Sequence, residues 1–399
     1  MNTNILKTND FEPILLNKAS GSWIWDVKGQ KYLDCESGMW CVNLGHNHPK
    51  IIQAMKNQLD EIIHRNKGFL TPITLDAADD LLNFLPNKYD KLTFLNSGTE
   101  AIEFGINFAM KVTKRKNVLS LRDSYLGAYG QAKASSYISL EKTKFQIPYP
   151  ICNAKKCDCL ERYQSYLDHF FQNYSSDISC FILEPLMVSG GIIKPCNKYI
   201  KYICDKVQDS GGLVLIDEIT TGMGRTGYKF GYQFYQILPD VVVLGKALGN
   251  GYPVSAIITK SNFESKLTPS ELYYAQSHQL DPLGAAVVKS VISIFSEEKV
   301  IEYSQEKIKK LSKFINSLKY PFIKEVRTYG MIFGIQIQPY NGMGSEEIIL
   351  KIKNKLLEVG VIIGYSLSRE YIRLLPPLNI QDNEIEYLKE NLVNIFNLI

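Results

Sequence analysis

Two apolar runs in the middle of the sequence end in side chains suited to acid–base and nucleophilic chemistry. Residues 213–216 lead into Asp217 and Glu218, and a buried ionised carboxylate needs a cation or a hydrogen-bond donor opposite it. Residues 241–244 lead, through a glycine, into Lys246. Partial burial there lowers the pKa of the amine and makes it nucleophilic, as Schiff-base chemistry requires. Each pattern also has a plainer interpretation, namely a salt-bridged strand end for the carboxylates and a solvated amine for the lysine.

Three further segments add the remaining groups of a site. The segment 96–101, Asn-Ser-Gly-Thr-Glu-Ala, follows an apolar run and enters a predicted helix. Its first backbone N–H groups and the hydroxyls of Ser97 and Thr99 could form a phosphate cradle, although either hydroxyl could simply cap the helix. Glu184 and Tyr125 each follow another apolar run. Together these groups are what is needed to hold a phosphorylated aromatic aldehyde.

The groups come together only if the apolar runs are neighbouring strands. Runs rich in Val, Ile and Leu alternate with helix-like stretches, which is typical of a parallel sheet covered by helices, with ligands at the carboxyl ends of the strands. The predicted strands are 91–95, 118–121, 178–183, 213–216 and 241–244. The predicted helices are 51–64, 100–114, 199–208, 285–295 and 346–359. Antiparallel strands are predicted within 23–32 and 326–338, in a smaller part built from both chain ends.

The composition is that of an ordinary globular protein. Of 399 residues, 45% are hydrophobic and 22% are charged, which excludes a disordered chain and a disulfide-stapled miniprotein. The net charge of +4 comes from scattered residues, so we predict no nucleic-acid surface. The N-terminal sequence lacks the apolar core of a secretory signal, and no apolar run approaches the roughly 18 residues of a membrane span. Eight cysteines in such a chain are typical of reduced thiols, so we expect a cytoplasmic enzyme.

Several sequence blocks are specific enough to indicate a family. They are Gly21-Ser-Trp-Ile-Trp-Asp26, Leu44-Gly-His-Asn-His-Pro49, Ser97-Gly-Thr-Glu-Ala101, Asp217-Glu-Ile-Thr-Thr-Gly-Met-Gly-Arg-Thr-Gly227 and Gly245-Lys-Ala-Leu-Gly-Asn-Gly-Tyr-Pro253. With them the chain resembles, over nearly its whole length, the class III aminotransferases, which are pyridoxal 5′-phosphate (PLP) enzymes of fold type I. The resemblance implies an α/β fold in which a large domain has a mainly parallel seven-stranded sheet between helices. It also implies a smaller α+β domain from residues 1–55 and 299–399, with the large cofactor-binding domain at 56–298.

The same resemblance implies catalytic roles at matching positions. Lys246 would be the internal-aldimine lysine and the proton shuttle at the substrate α-carbon. Asp217 would pair with the pyridinium nitrogen and keep the ring protonated. Tyr125 would stack on one face of the ring, and Ile219 would pack against the other.

Further positions match cofactor-binding residues of the family. Gly98 and Thr99 would hold the cofactor phosphate, and Ser277 would reach it from the neighbouring subunit. A homodimer with a shared site follows from that match. The remaining predicted cofactor-binding residues are Ser97, Glu184 and Thr220.

The substrate-facing positions give mixed indications. Arg373 matches an arginine that binds a substrate α-carboxylate in several branches, and the alternative is a domain-interface ion pair. Trp40 matches a pocket residue of amine:pyruvate transaminases, but it could also be a core residue. Ala128 stands where ornithine-type branches carry an arginine, which weakens the expectation of 2-oxoglutarate as acceptor. Thr220 replaces the usual Gln or His, and Ser189 replaces a glutamate of the ornithine-type enzymes.

We therefore predict a ping-pong transaminase that moves an amino group from an amino acid or ω-amine to a 2-oxo acid. Class III-like aminomutases and amino-acid epimerases use the same apparatus and stay open as an alternative. A chain reused as a binding module would be expected to lack Lys246 or Asp217, and both are present.

No metal site is predicted. His46 and His48 belong to a block that is structural in the family, and no partner has matching ligand spacing. Cys152, Cys157 and Cys159 lie in a polar insertion whose spacing matches no strong metal template, so whether they bind anything stays open.

Overall fold

The computed structural model describes residues 4–8, 10–152 and 157–399. Its strands are β1 (Leu16–Ser20), β2 (Trp23–Asp26), β3 (Lys31–Asp34), β4 (Lys91–Leu95), β5 (Asn117–Leu121), β6 (Gln146–Ile147), β7 (Ile178–Leu183), β8 (Leu213–Asp217), β9 (Val241–Leu244), β10 (Ser255–Thr259), β11 (Ile323–Tyr329), β12 (Ile332–Ile337), β13 (Val361–Ile362), β14 (Gly364–Ser366) and β15 (Tyr371–Leu374). Its helices are α1 (Ser37–Trp40), α2 (Pro49–Leu59), α3 (Pro72–Phe84), α4 (Gly98–Thr113), α5 (Gly130–Ala134), α6 (Cys159–Tyr174), α7 (Asn197–Asp209), α8 (Ser261–Glu264), α9 (Pro269–Leu272), α10 (Pro282–Glu297), α11 (Val300–Ser317), α12 (Ser345–Glu358) and α13 (Asp382–Phe396).

A mostly parallel sheet forms the centre of the molecule. Its strand order is β4-β10-β9-β8-β7-β5-β6, and among these described strands β10 alone runs antiparallel to its neighbours. The register pairs Asp217 with Val243, so β8 and β9 end side by side. The segments that follow β8 and β9 therefore start from the same edge of the sheet. The five predicted strands are confirmed, whereas β10 was not predicted.

Both faces of this sheet are covered, which explains its uniformly apolar strands. Along β9, Val242 and Leu244 belong to one apolar cluster and Val241 and Val243 to another, because successive side chains point to opposite faces. α4 packs against β7, β9 and β10 on one face. No described helix has both the length and the apolar character that crossing a membrane requires.

Two further sheets come from the ends of the chain. The first has the order β1-β2-β3-β13, in which the late strand β13 pairs parallel to β3 through Val361 and Leu33. The second has the order β11-β12-β15-β14. The predicted antiparallel strands near both chain ends are thus confirmed. The domain boundaries 1–55, 56–298 and 299–399 stay predictions.

One predicted helix boundary is wrong. The helix predicted over 51–64 ends at Leu59, because the chain turns there and the side-chain amide of Gln58 donates to the carbonyl of Ile62. The turn lets the buried Arg65 donate to the carbonyls of Gln279 and Leu280. A long-range contact of this kind overrides the local helical pattern.

Candidate active site

A cavity of about 220 Å³ lies at the carboxyl edge of the central sheet. Segments that follow five different strands contribute to it: β4, β5, β7, β8 and β9. Its lining residues are Gly98, Thr99, Tyr125, Leu126, Gly127, Glu184, Ser189, Asp217, Ile219, Thr220 and Lys246. The structure thus brings most of the predicted cofactor residues to one place. Ser97 and Ser277 are the predicted cofactor residues that do not line the cavity.

Lys246 lies directly after β9, at the start of a short 3-10 helix (Lys246–Leu248). Its φ of 43° is in the left-handed region, a conformation that costs a non-glycine residue about 1–2 kcal/mol. Its Nζ donates to Thr220 Oγ1 at 2.6 Å and lies 4.5 Å from the centre of the Trp40 ring. Burial lowers the pKa of Lys246, and the carboxylates of Asp217 and Glu184 oppose that shift. The amine therefore loses its proton more easily than a solvated lysine and can act as a nucleophile.

The two neighbouring carboxylates at the end of β8 have different surroundings. Asp217 lines the cavity, accepts the N–H of Ile219 at 2.9 Å, and has its pKa raised by burial to about 7. Glu218 points elsewhere, because it accepts the hydroxyl of Thr221 at 2.6 Å and the N–H groups of Gly231 and Tyr232. Asp217 is thus available to a ligand, whereas Glu218 fixes a turn of the protein.

A second carboxylate of the cavity lining, Glu184, lies directly after β7. Glu184 accepts the backbone N–H of Tyr125 at 2.6 Å, which fixes the start of the segment that carries the Tyr125 ring. Burial and the nearby charge of Asp217 raise the pKa of Glu184 well above its ordinary value. A cationic ligand group in the cavity would favour the ionised form of both acids.

The N-terminus of α4 closes one side of the cavity. Helix geometry leaves the N–H groups of Gly98 and Thr99 without an intrahelical partner, as an anion site requires. A Cβ at Gly98 would lie 2.7 Å from Cδ1 of Ile219, so a larger residue there would have to displace the Ile219 side chain. The hydroxyl of Thr99 accepts the N–H of Ala128 at 3.2 Å. Ser97 is exposed and accepts the N–H of Glu100, so its hydroxyl caps the helix.

A turn of left-handed backbone places Trp40 beside the cavity. The φ values of Ser37, Gly38, Met39 and Trp40 lie between 46° and 68°. The Trp40 ring contacts Lys246 Nζ on one side and lies 4.8 Å from the guanidinium carbon of Arg373. It is also buried in a small apolar cluster, so Trp40 is a core residue beside the cavity, and its role in substrate binding stays a prediction.

Arg373 extends from β15 toward the same place and forms an ion pair with Glu36. Its Nη2 lies 3.4 Å from Glu36 Oε2, which also accepts the indole N–H of Trp40 at 3.1 Å. Among the described residues, Arg373 Nε and Glu36 Oε1 are buried without a hydrogen-bond partner. Burial raises the pKa of Glu36 to about 7, and the charge of Arg373 opposes that rise. Arg373 therefore keeps donor capacity that a second carboxylate could use.

Sequence reasoning missed several residues of this site. Leu126 and Gly127 line the cavity because they follow Tyr125, a position that could have suggested them. Ser189, one of the substrate-facing positions predicted from the sequence, also lines it, whereas Glu36 belongs to no motif that indicates a site. Ser277, in contrast, is exposed and lies outside the cavity of its own chain.

The cavity has the groups that PLP needs. It combines an anion-binding helix N-terminus, an aromatic side chain at Tyr125, the carboxylate of Asp217 and the amine of Lys246. The N–H groups of Gly98 and Thr99, in the first turn of α4, have no intrahelical partner and can donate to a phosphate. The residues present therefore fit this cofactor.

Comparisons with known proteins give the same result. The family model "Aminotransferase class-III" matches residues 6–396. An uncharacterized aminotransferase of Schizosaccharomyces pombe is 30% identical over 94% of this chain and 89% of its own length. A [LysW]-aminoadipate semialdehyde/glutamate semialdehyde transaminase of Sulfolobus acidocaldarius is 29% identical over 95% of both chains.

Solved structures agree with the fold. The taurine:2-oxoglutarate aminotransferase of Bifidobacterium kashiwanohense, solved in complex with PLP and glutamate, superposes with a TM-score of 0.89. It is 22% identical, and the match covers 99% of this chain and 95% of that one. The fold is thus that of the solved transaminases, and the family match extends over nearly the whole chain. The chain belongs to the class III aminotransferases, and it is a PLP-dependent enzyme that catalyses transamination.

Proposed function

We propose that Lys246 is the lysine to which PLP binds, and that the enzyme moves an amino group from an amino acid or ω-amine to a 2-oxo acid. The observation that carries this proposal is that Lys246, Asp217 and the N-terminus of α4 line a single cavity. PLP bound there supplies an aldehyde that exchanges amino groups and a ring that accepts electrons from the substrate α-carbon.

Each side chain of the cavity would then have a separate role. Lys246 Nζ is the nucleophile and, once the substrate is bound, carries the proton to and from the substrate α-carbon. The 2.6 Å hydrogen bond from Lys246 Nζ to Thr220 Oγ1 orients that amine. Asp217 holds a proton on the ring nitrogen, and its raised pKa falls when that positive charge is bound beside it. Gly98 and Thr99 bind the phosphate through their N–H groups.

We infer that the substrate pocket is controlled by Arg373 and Glu36. A substrate carboxylate would accept hydrogen bonds from Arg373 and displace Glu36 from its 3.4 Å contact. An amine without a carboxylate would leave that ion pair in place and pack against Trp40. One pocket could in this way accept an oxo acid and an amine in alternation.

The pocket favours an acceptor with a single carboxylate. Ala128 stands where ornithine-type branches carry an arginine, and Ser189 lines the cavity, so neither position offers a positive charge to a second carboxylate. We therefore propose a monocarboxylic oxo acid such as pyruvate as the preferred acceptor over 2-oxoglutarate.

Two properties of the assembly belong to the same proposal. Ser277 is exposed on its own chain, which suits a residue that contributes to the cavity of a partner subunit in a homodimer. A cytoplasmic location remains a prediction from the sequence.

The test is a spectroscopic titration of the PLP-loaded protein with single amino donors, followed by pyruvate or 2-oxoglutarate. We expect one class of donor to convert the cofactor from its aldehyde form to its amine form and pyruvate to reverse the change. Exchange or inversion at the substrate α-carbon without any accumulation of the amine form would contradict the proposal in favour of the isomerase alternative.

A further inference from the structure

Four cysteines gather in a cluster separate from the residues that line the active-site cavity. Their Sγ atoms all lie within 4.8 Å of one another, and the members are Cys152, Cys157, Cys159 and Cys196. The sulfurs of Cys157 and Cys196 lie 3.2 Å apart. The first three belong to the polar insertion already noted, whereas Cys196 comes from the turn before α7. We name these residues the thiolate cluster.

We propose that the thiolate cluster binds one Zn²⁺ ion in a closed, structural site. A tetrahedral zinc with Zn–S bonds of about 2.3 Å requires sulfurs about 3.8 Å apart, and the observed spread includes that spacing. An iron–sulfur cluster places several irons and sulfides between its cysteines and needs a wider opening. Four protein ligands leave no open position, which is the arrangement of structural rather than catalytic zinc.

The backbone around the thiolate cluster fixes the ligands without help from an ion. Residues Ile151 and Pro195 form an antiparallel bridge, and the N–H of Cys196 donates to the carbonyl of Pro150 at 3.1 Å. These contacts join the insertion to the segment before α7, next to Cys152 on one side and at Cys196 on the other. Two ligands from distant parts of the sequence therefore meet through ordinary main-chain pairing.

Two of the cysteines lie at helix N-termini. Cys196 is the residue before α7, and Cys159 is the first residue of α6. The positive end of a helix favours the thiolate, which is the form of cysteine that binds metal.

Three cations lie near the thiolate cluster and would offset part of the negative charge of such a site, although Arg162 and Lys198 also pair with Asp158 and Glu161. Four thiolates around Zn²⁺ have a net charge of −2. Arg162 donates to the sulfur of Cys159 at 3.6 Å, and Lys194 interacts electrostatically with Cys152 and Cys196. Lys198 adds a third positive charge, with its Nζ 3.4 Å from the carbonyl of Cys157.

The position of the site indicates a structural effect. Between Glu184 and Cys196 the chain runs from the cavity lining, through Ser189, to the thiolate cluster. A bound zinc would anchor that segment and the insertion to each other. Its loss is therefore expected to lower thermal stability more than it lowers the rate of amino transfer.

The experiment uses the full-length, PLP-loaded protein purified without chelators. Elemental mass spectrometry should find one zinc per chain. Replacement of the bound zinc by Co²⁺ should give the visible absorption of a tetrahedral cobalt–thiolate site. Cys159→Ser and Cys196→Ser should each lower the zinc content at least tenfold. Cys204→Ala is the matched control, because Cys204 is a buried cysteine of the helix that Cys196 precedes and lies outside the thiolate cluster. This variant should keep its zinc.

Stability supplies the second measurement. A strong chelator should lower the thermal midpoint of the wild-type protein and leave that of Cys196→Ser unchanged. Four free thiols without metal, a mapped disulfide between Cys157 and Cys196, or iron with acid-labile sulfide would each overturn the proposal. If the serine variants fail to fold, the metal content and cobalt spectrum of the wild-type protein decide the question.

Discussion

The active-site cavity and the thiolate cluster are built in opposite ways. The cavity gathers ionisable groups whose pKa values burial moves away from their ordinary values: upward for Asp217 and Glu184, downward for Lys246. The thiolate cluster brings four Sγ atoms within 4.8 Å of one another, and two of its cysteines stand at helix N-termini. The first arrangement lets a ligand and a proton change the charge of the site in each half-reaction, whereas the second suits one ion that stays. Variants of the two regions should therefore separate activity from stability.

The largest effect is expected from Lys246→Ala. Loss of the amine removes both the nucleophile and the proton carrier, so kcat should fall about 1000-fold or more. Zinc content and thermal midpoint, measured on the same preparation, should change little. Lys260→Ala is the control, because Lys260 follows the neighbouring strand β10 and lies outside the cavity lining. Retained turnover in Lys246→Ala would contradict the assignment of Lys246 as the nucleophile and proton carrier.

Asp217→Asn should have the next largest effect. An amide cannot hold the ring nitrogen in its charged form, and loss of one charged hydrogen bond of about 1.5–3 kcal/mol lowers kcat about 10- to 150-fold.

The variant Glu218→Gln, at the next residue, is the matched control for Asp217→Asn. Glu218 accepts N–H groups from the turn at Gly231 and Tyr232, so its loss should lower the thermal midpoint and spare kcat. Steady-state kinetics and thermal unfolding of both variants provide the measurement. Equal losses of kcat would show that the two carboxylates do not differ as the structure indicates.

Arg373→Ala tests the substrate pocket. We expect KM for carboxylate-bearing substrates to rise about tenfold, which corresponds to the lower end of the free energy of a charged hydrogen bond. The low value is expected because Glu36 already pairs with part of the Arg373 guanidinium. KM for an amine without a carboxylate should stay nearly constant. A parallel rise for both substrate classes would contradict a carboxylate-binding role.

The smallest effect is a pH dependence that arises from Glu36. Its pKa is raised to about 7, mainly by burial, in surroundings that also include Arg373, Asp34 and Arg225. Above that pH Glu36 is ionised and competes for Arg373, so KM for oxo acids should rise about 2- to 5-fold as pH increases through 7. Glu36→Gln should give a flat KM profile over this range. A profile that is the same in both proteins would exclude Glu36 as the competitor.

The cavity could be predicted from the sequence because its groups directly follow apolar strands and belong to long motifs. Lys246 and Asp217 could be placed in one site because the carboxyl ends of parallel strands lie at the same edge of a sheet. Glu36 could not be predicted, because its contact with Arg373 joins residues from opposite ends of the chain.

The same physical reason applies elsewhere in the molecule. Cys196 joins the thiolate cluster through a bridge between Ile151 and Pro195 that no local pattern indicates. Helix α2 ends before the predicted residue because Gln58 donates to the carbonyl of Ile62 in the following turn and Arg65 donates to the distant carbonyl of Leu280. Local propensity predicts elements, whereas tertiary contacts decide their ends and their partners.

The most direct test of the account is to reduce the PLP-loaded protein with borohydride and locate the modified residue by peptide mass mapping. We expect the phosphopyridoxyl group on Lys246 and nowhere else in the wild-type protein, and no modified peptide in Lys246→Ala. A label on a different lysine of the wild-type chain would contradict the assignment of the cavity as the active site.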